Sequence, residues 1–406
     1  MAVARFRKKL LTAWRRLISQ GFHWYVPGRN TTKEIGHVRC AARRALLGQW
    51  PVVLRPVLWL AAVVIWPIQS IREVRTLEKA ANTGTIARSS RLRAWYVAMR
   101  HNIPPAEYVM FGGLSEPASS ADGWSYTQES SALTRSLVDR SVIDLAGDKL
   151  AFIKFCNAVE AIRTGEVLAT CNNNGLEYRS DFSQTGSCEM ICKPVRASGG
   201  KGVEYWAFDG ARFERRGAGA GLSITKDEFD AHLTEIARSH SSGVFLQRKI
   251  ASHPALGIFE EAGPVVARVV TGRWMNGSID VLEAMIQKPL PGKLLTGGGP
   301  VRLIDCATGK TKTVHPGEHL FPDMTAVPVF DDIQLPDWHE CTQGLSTLHR
   351  ALPGQAPPIG WDVIFSPDGP VLLEANTTLA PYFFQIASQR PAADRKWTLL
   401  LSEYVS

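Results

Sequence analysis

Residues 360–376 constrain the fold more than any other part of the chain: Gly360-Trp361-Asp362-Val363-Ile364-Phe365-Ser366-Pro367-Asp368-Gly369-Pro370-Val371-Leu372-Leu373-Glu374-Ala375-Asn376. Two apolar runs flank Pro367-Asp368-Gly369, whose residues suit a tight turn, so the segment reads as a β-hairpin. Asp362 and Glu374 then fall on neighbouring strands. Asn376, two residues past Glu374, shares its face because side chains alternate along a strand. Two carboxylates and an amide oxygen in so apolar a setting form a hard-oxygen site suited to Mg2+ held jointly with nucleotide phosphates. A merely solvated hairpin face would carry more polar neighbours.

A second constellation is Lys193-Pro194-Val195-Arg196-Ala197-Ser198-Gly199-Gly200-Lys201-Gly202-Val203. A strand ending in Lys runs into a loop of small residues, where backbone amides can approach an anion closely. The P-loop pattern feeding a helix is absent, and an ordinary tight turn between strands would read the same way. Around these features the pattern alternates between α and β. Strands are expected at 189–193, 203–208, 244–247, 265–271 and 371–375, and helices at 149–163 and 226–239, the latter opened by Thr225 with Glu228 three residues on. No internal repeat or low-complexity linker is visible.

With Asp148-Lys149 opening a helix upstream, the hairpin and the Gly-rich loop resemble the ATP-grasp superfamily. The closer similarity is to its sugar-transfer-associated family, carried by Ala267-Arg268-Val269-Val270-Thr271, Leu335-Pro336-Asp337-Trp338, Ile359-Gly360-Trp361-Asp362 and Glu374-Ala375-Asn376. It covers roughly residues 140–390. The resemblance implies an α+β fold, an ATP-grasp domain over residues 101–400 in which two α+β subdomains clamp ATP. It also implies that Lys149 and Lys193 contact ATP phosphates and that the loop Ser198, Gly199, Gly200, Lys201 and Gly202 closes over them. The segment Gln247-Arg248-Lys249-Ile250 would meet the adenine. Asp362, Glu374 and Asn376 would hold one or two Mg2+ ions, Arg268 would stabilise the transferred phosphate, and Lys288 is a second candidate for that role. Two departures fall where an acceptor would sit: His319 is separated from Pro322-Asp323 by Leu320-Phe321, and Leu295-Thr296 precede the run Gly297-Gly298-Gly299 where acidic and amide residues are expected. His315 and His319 are compatible with either a substrate-facing or a turn position.

The superfamily resemblance implies acyl-phosphate chemistry, in which a carboxylate attacks the γ-phosphate of ATP and an amine then displaces phosphate. The expected activity is an ATP- and Mg2+-dependent carboxylate–amine ligase in surface polysaccharide or glycoconjugate assembly, on a small-molecule or lipid-linked substrate. A kinase that stops after phosphoryl transfer to a sugar- or lipid-linked acceptor, and a non-catalytic ATP-binding membrane scaffold, are the alternatives.

Upstream of residue 100 the resemblance is silent and charge takes over. The first hundred residues hold 19 Lys/Arg against 3 Asp/Glu, whereas the remainder holds 27 against 35. A basic segment on an acidic body argues against nucleic acid as partner and for a separate element that seeks an anionic surface. Over residues 3–22, Phe6, Leu10, Trp14, Leu17 and Ile18 recur at helical spacing opposite Arg5, Lys8, Lys9, Arg15 and Arg16. Such a helix suits an anionic bilayer, or docks on the protein's own body. Residues 56–71 carry no charge and are bounded by Arg55, Arg72 and Arg75. The stretch reads as too short to span a bilayer, hence as a re-entrant or interfacial segment, or as the core of a helical subdomain. Residues 1–100 are thus expected to form a basic helical membrane-association region on the cytoplasmic face, touching an anionic membrane surface through residues 1–75, with no cleavable signal peptide. The seven cysteines show no CxxC spacing and read as reduced thiols; Cys188 and Cys192 lack a second ligand pair.

Overall fold

The computed structural model describes residues 31–80, 88–111, 121, 123–179, 186–197, 199–217, 220–256, 264–287, 289, 301–312, 332–379, 381–388, 390–391 and 395–406. The expected helix at 3–22, Ser198, Lys288, residues 295–299, His315, His319 and Pro322-Asp323 lie outside these.

Among the described residues the strands are β1 (Arg163–Thr164), β2 (Val167–Asn172), β3 (Gly175–Tyr178), β4 (Cys188–Pro194), β5 (Glu204–Phe208), β6 (Phe213–Arg216), β7 (Ser223–Ile224), β8 (Val244–Arg248), β9 (Val266–Arg273), β10 (Ile279–Gln287), β11 (Val301–Leu303), β12 (Pro358–Ser366) and β13 (Gly369–Asn376). They form two sheets. One has six strands in the order β1-β13-β12-β9-β10-β11, and the other has seven in the order β3-β2-β8-β4-β5-β6-β7. Only β1 with β13 is a parallel pair; the other pairs are antiparallel. The hairpin forms as expected, β12 and β13 meeting at Pro367-Asp368, and all five expected strands are present within a residue or two.

Local signals explain the helix ends. Thr225 and Glu228 close a capping box on helix Lys226–Ser239, satisfying two orphan backbone donors. Asp148 accepts from the Ala151 amide at 3.0 Å and starts helix Lys149–Val159. That helix stops earlier than the expected residue 163, because Glu160 turns left-handed with φ 56°.

Each sheet has its own core. Helix Lys226–Ser239 covers the seven-stranded sheet through Phe229, Leu233 and Ala237, which pack on Met190, Trp206 and Phe213. The six-stranded sheet is covered on both faces, as the alternation of β9 requires. Ala267 and Val269 face helices Lys149–Val159 and Trp338–Ala351, while Val270 faces the helices Lys33–Gly48 and Lys396–Val405. Val38, Ala41 and Ala42 therefore share a core with Trp397, Leu400 and Leu401. Helix Lys33–Gly48, upstream of the boundary drawn at residue 100, is built into the body of the molecule.

The apolar segment extends further than its charge-free stretch suggested. It is a helix, Arg55–Ala80, and together with the short 3-10 turn Val52–Leu54 before it the 24 residues Val52–Arg75 are long and apolar enough to cross a membrane by length and composition. The uncharged run underestimated it because the helix continues through Pro67 and on past Arg72. Its inner stripe, Leu58, Ala62, Trp66, Ser70 and Val74, is buried at four-residue spacing, and the Trp66 Nε1 donates to the Ala98 carbonyl at 3.2 Å.

A polar chain threads the six-stranded core. Trp361 Nε1 donates to Thr271 Oγ1 at 2.7 Å, Thr271 Oγ1 meets His349 Nδ1 at 2.7 Å, and His349 Nε2 lies 2.7 Å from the Ala356 carbonyl. The carbonyl can only accept, so Nε2 carries the proton and Nδ1 accepts from the threonine hydroxyl. Burial pushes the imidazole down to about 4. The unfolded chain takes up a proton near pH 6.5 and the folded one does not, so this contribution is full above pH 6.5 and is lost as pH falls toward 4. We predict a loss on the order of 3 kcal/mol over that window, by the linkage of about 1.4 kcal/mol per unit. Urea denaturation at pH 6.5 and pH 4.5 checks it: the stability difference between wild type and His349→Gln should shrink at the lower pH, and a constant difference refutes the assignment.

Candidate functional site

The hairpin register sets Asp362 directly opposite Glu374, and on the other side β9 sets Arg268 opposite Asp362. Glu374, Asp362 and Arg268 thus form one row across three adjacent strands. They occupy the face opposite Trp361 and Val269, which point into the core shared with helix Trp338–Ala351. Arg268 grips Asp362 with both arms, Nε to Oδ1 and Nη2 to Oδ2 each at 2.7 Å, the planar fork that a carboxylate matches. Burial opposes the guanidinium's charge, but Asp362 overcomes it and raises the arginine further.

Two lysines meet this row, Lys193 from the other sheet and Lys149 from the start of helix Lys149–Val159. The Asp148 cap starts helix Lys149–Val159 against the end of β4, where the Lys149 amide donates to the Val195 carbonyl at 3.2 Å and Arg196 reaches Asp148 Oδ2 at 3.0 Å. Lys149 Nζ donates to the Ala197 carbonyl at 2.6 Å and lies 3.9 Å from Glu374 Oε2. Lys193, the next-to-last residue of β4, sits 5.3 Å over the Phe245 ring. Burial pulls its ammonium down to about 8; Glu374 works the other way and Lys149 reinforces the fall. Glu374 is raised, first by burial and then by Asp362, against the pull of Lys149, Lys193 and Arg268. Three cations and two carboxylates from both sheets therefore converge on one place.

Asn376 lies two residues beyond Glu374 on β13, opposite Gly360, and its Nδ2 is buried with no hydrogen-bond partner. That orphan is a donor and suits an acceptor such as a phosphate oxygen, while the amide's oxygen is the atom that a cation could take. Among the described residues no three His, Cys, Asp or Glu side chains converge as a metal cage. Asp362, Glu374 and the Asn376 oxygen supply too few ligands for a closed site. They fit Mg2+, which keeps water and phosphate oxygens in its shell.

The Gly-rich segment turns between β4 and β5, with Gly199, Gly200 and Gly202 at φ 65°, 68° and 74°. At Gly202 a side chain would also meet Pro194 Cγ at 2.9 Å and His240 Nε2 at 3.1 Å, so this position requires glycine. Lys201 is exposed on the turn. The segment Gln247 to Ile250 lies at the exit of β8, where the chain leaves one sheet for the other. Gln247 is held between β2 and β4 and donates from Nε2 to the Gly165 carbonyl at 3.0 Å. Lys249 Nζ pairs with Glu189 Oε2 at 2.8 Å and with the Tyr205 hydroxyl at 3.0 Å. These side chains point to partners within the seven-stranded sheet and do not join the charged row; Ile250 is half-buried. Contacts that the sequence did not foresee also shape the site: Phe245 beneath Lys193, the Ala197 carbonyl on Lys149, and the pairing of Asp148 with Arg196.

A family model described as sugar-transfer associated ATP-grasp matches residues 128–398. No curated protein matches the chain. Among solved structures, D-cycloserine synthetase DcsG is 12% identical, with a TM-score of 0.37 over 65% of this chain and 72% of that one. VanG D-Ala:D-Ser ligase from Enterococcus faecalis is 16% identical, with a TM-score of 0.37 over 66% and 64%. D-alanine–D-alanine ligase from Bacillus anthracis, complexed with ATP, is 13% identical, with a TM-score of 0.34 over 59% and 58%.

Proposed function

Since the chain belongs to the sugar-transfer-associated ATP-grasp family, we propose that it is an ATP- and Mg2+-dependent carboxylate–amine ligase acting in surface polysaccharide or glycoconjugate assembly. The observation that carries this reading is the convergence of Arg268, Asp362 and Glu374 with Lys193 from the facing sheet and Lys149 from the start of helix Lys149–Val159. Lys149 and Lys193 neutralise ATP phosphates, and the turn 199–202 covers them. Bound Mg2+ would be held by Asp362, Glu374 and Asn376 and would neutralise phosphate charge. The substrate carboxylate attacks the γ-phosphorus and ADP leaves. Arg268 meets the charge that develops on the equatorial oxygens. The amine then attacks the acyl carbon, phosphate departs, and the ammonium proton is lost to solvent. Such a reaction needs positioning and charge neutralisation more than covalent help, and excluding water protects the acyl phosphate. Lys288, outside the described residues, stays a candidate second cation.

Isothermal titration with a non-hydrolysable ATP analogue tests the site. Wild type should bind only with Mg2+, and Glu374→Ala should weaken that binding at least about tenfold, the cost of a lost charged ligand. A folded wild type that binds no nucleotide overturns the reading. ADP release then separates the chemistries: a ligase forms ADP steadily only with carboxylate and amine together, whereas steady ADP release with one acceptor identifies a kinase.

A further inference from the structure

Helix Arg55–Ala80 has two apolar faces. On the inner stripe, Trp66 and Val74 meet helix Arg88–His101, whose Ala94, Val97 and Ala98 are buried. The outer stripe, Val53, Val57, Leu60, Val64, Ile68 and Ile71, faces outward along the whole length at three- and four-residue spacing. Val53 is 81% exposed, and Leu60 and Val64 are each 63% exposed. Leu92 and Tyr96 extend the patch onto the neighbouring helix. An apolar surface of this extent marks an interaction site.

Two observations choose its occupant. No charged residue interrupts residues 56–71, while Arg55, Arg72 and Arg75 bracket the stripe; a protein groove offers no reason for cations only at the two ends, but a headgroup layer does. The first hundred residues are also strongly basic. Attachment along the inner stripe decides the orientation. The helix is tied through Trp66 to the Ala98 carbonyl, through Glu73 to the Ala106 amide and through Val74 to a shared core, and a helix held sideways in this way cannot cross a bilayer alone, so it lies flat.

We propose that the outer stripe Val53 to Ile71 seats this protein in the plane of one leaflet of an anionic membrane, with the aliphatic side chains among the acyl chains and the bracketing arginines at the phosphates. The seat is independent of nucleotide. Its connection to the site is short: six residues after Asn376, Tyr382 packs on Phe111 at 5.8 Å between ring centres, within a core that also holds Val74, Ala94 and Val97. The exit of β13 is thereby fastened to the layer that meets the lipid.

Co-sedimentation of the full chain with vesicles tests this without ATP. Wild type should bind vesicles of phosphatidylcholine with 30% phosphatidylglycerol. Leu60→Gln with Val64→Gln should weaken binding about thirtyfold, from the apolar burial lost. Arg72→Gln with Arg75→Gln should weaken it about twentyfold and remove most of the preference for anionic lipid. All four positions are exposed, so the far-ultraviolet circular dichroism should be unchanged. Three results would overturn the proposal. One is a wild type that ignores phosphatidylcholine vesicles whether or not they carry phosphatidylglycerol. Another is an aliphatic double variant that binds as tightly as wild type, which moves the seat to residues 1–30. The third is a wild type that is dimeric without lipid and becomes monomeric in the aliphatic variant, which makes the stripe an interface between copies.

Discussion

Arg268→Met is expected to lower ATP-dependent turnover about a thousandfold, the scale of an arginine that meets transferring phosphoryl charge. Affinity for the Mg2+-bound ATP analogue should change only severalfold. The asymmetry follows from where the arginine sits. Its fork spans Asp362, so the same group that fixes one carboxylate stands next to the place where phosphate charge would develop. Removing it leaves the buried Asp362 facing Glu374, a like-charge pair that a bound cation and the two lysines still offset. Arg268→Lys keeps the charge but loses the two-armed geometry and should fall between, about thirtyfold down. Single-turnover kinetics with saturating ATP measure both. Turnover within threefold of wild type in Arg268→Met would exclude a catalytic role.

The second large effect is on stability. Glu129→Ala should cost about 3–5 kcal/mol, the usual penalty for stranding buried charges. Arg39 Nε bonds Glu129 Oε2 at 2.9 Å and Arg43 Nε bonds Oε1 at 2.6 Å, and both guanidiniums are almost wholly buried. Their remaining arms hold the carbonyls of His101 and Asn102 at 2.7 and 2.9 Å. Arg39 also stacks over Tyr126 at 4.8 Å. Burial alone would raise the Glu129 carboxyl, but the two arginines outweigh it and hold it low. A depressed carboxylate contributes above its unfolded value near 4.5, and the contribution is lost as pH falls through the folded value. Urea unfolding at pH 7 checks the loss; a change under about 1 kcal/mol would mean the arginines find water. Replacing all three with apolar residues of similar size should recover most of it.

The same triad shows what the sequence hid. The hairpin was legible because strand alternation and a Pro-Asp-Gly turn are local properties, and they placed Asp362, Glu374 and Asn376 on one wall. Arg268 came from resemblance, and its fork on Asp362 links residues 94 apart, which no local pattern encodes. Strand β10, whose Met285 stands opposite Arg268, passed unnoticed. Charge counting erred differently. Arg39 and Arg43 entered the tally of membrane-seeking cations, yet they are buried on Glu129 and cannot reach a headgroup. A formal count cannot see burial. Likewise the cut at residue 100 followed composition, while Val38, Ala41 and Ala42 complete a core with residues near 400.

That last packing sets the order in which the molecule can be made. The strands of the seven-stranded sheet all lie between residues 167 and 248, so that lobe can close once this stretch has left the ribosome. Helix Lys33–Gly48 is made well before Trp397, Leu400 and Leu401, which it meets only on the order of tens of seconds later at ordinary elongation rates. Throughout that interval its apolar face is open to chaperones, and the lobe carrying Asp362 and Glu374 is incomplete. The molecule matures from its middle outward, and helix Lys33–Gly48 is among the last parts to find its place.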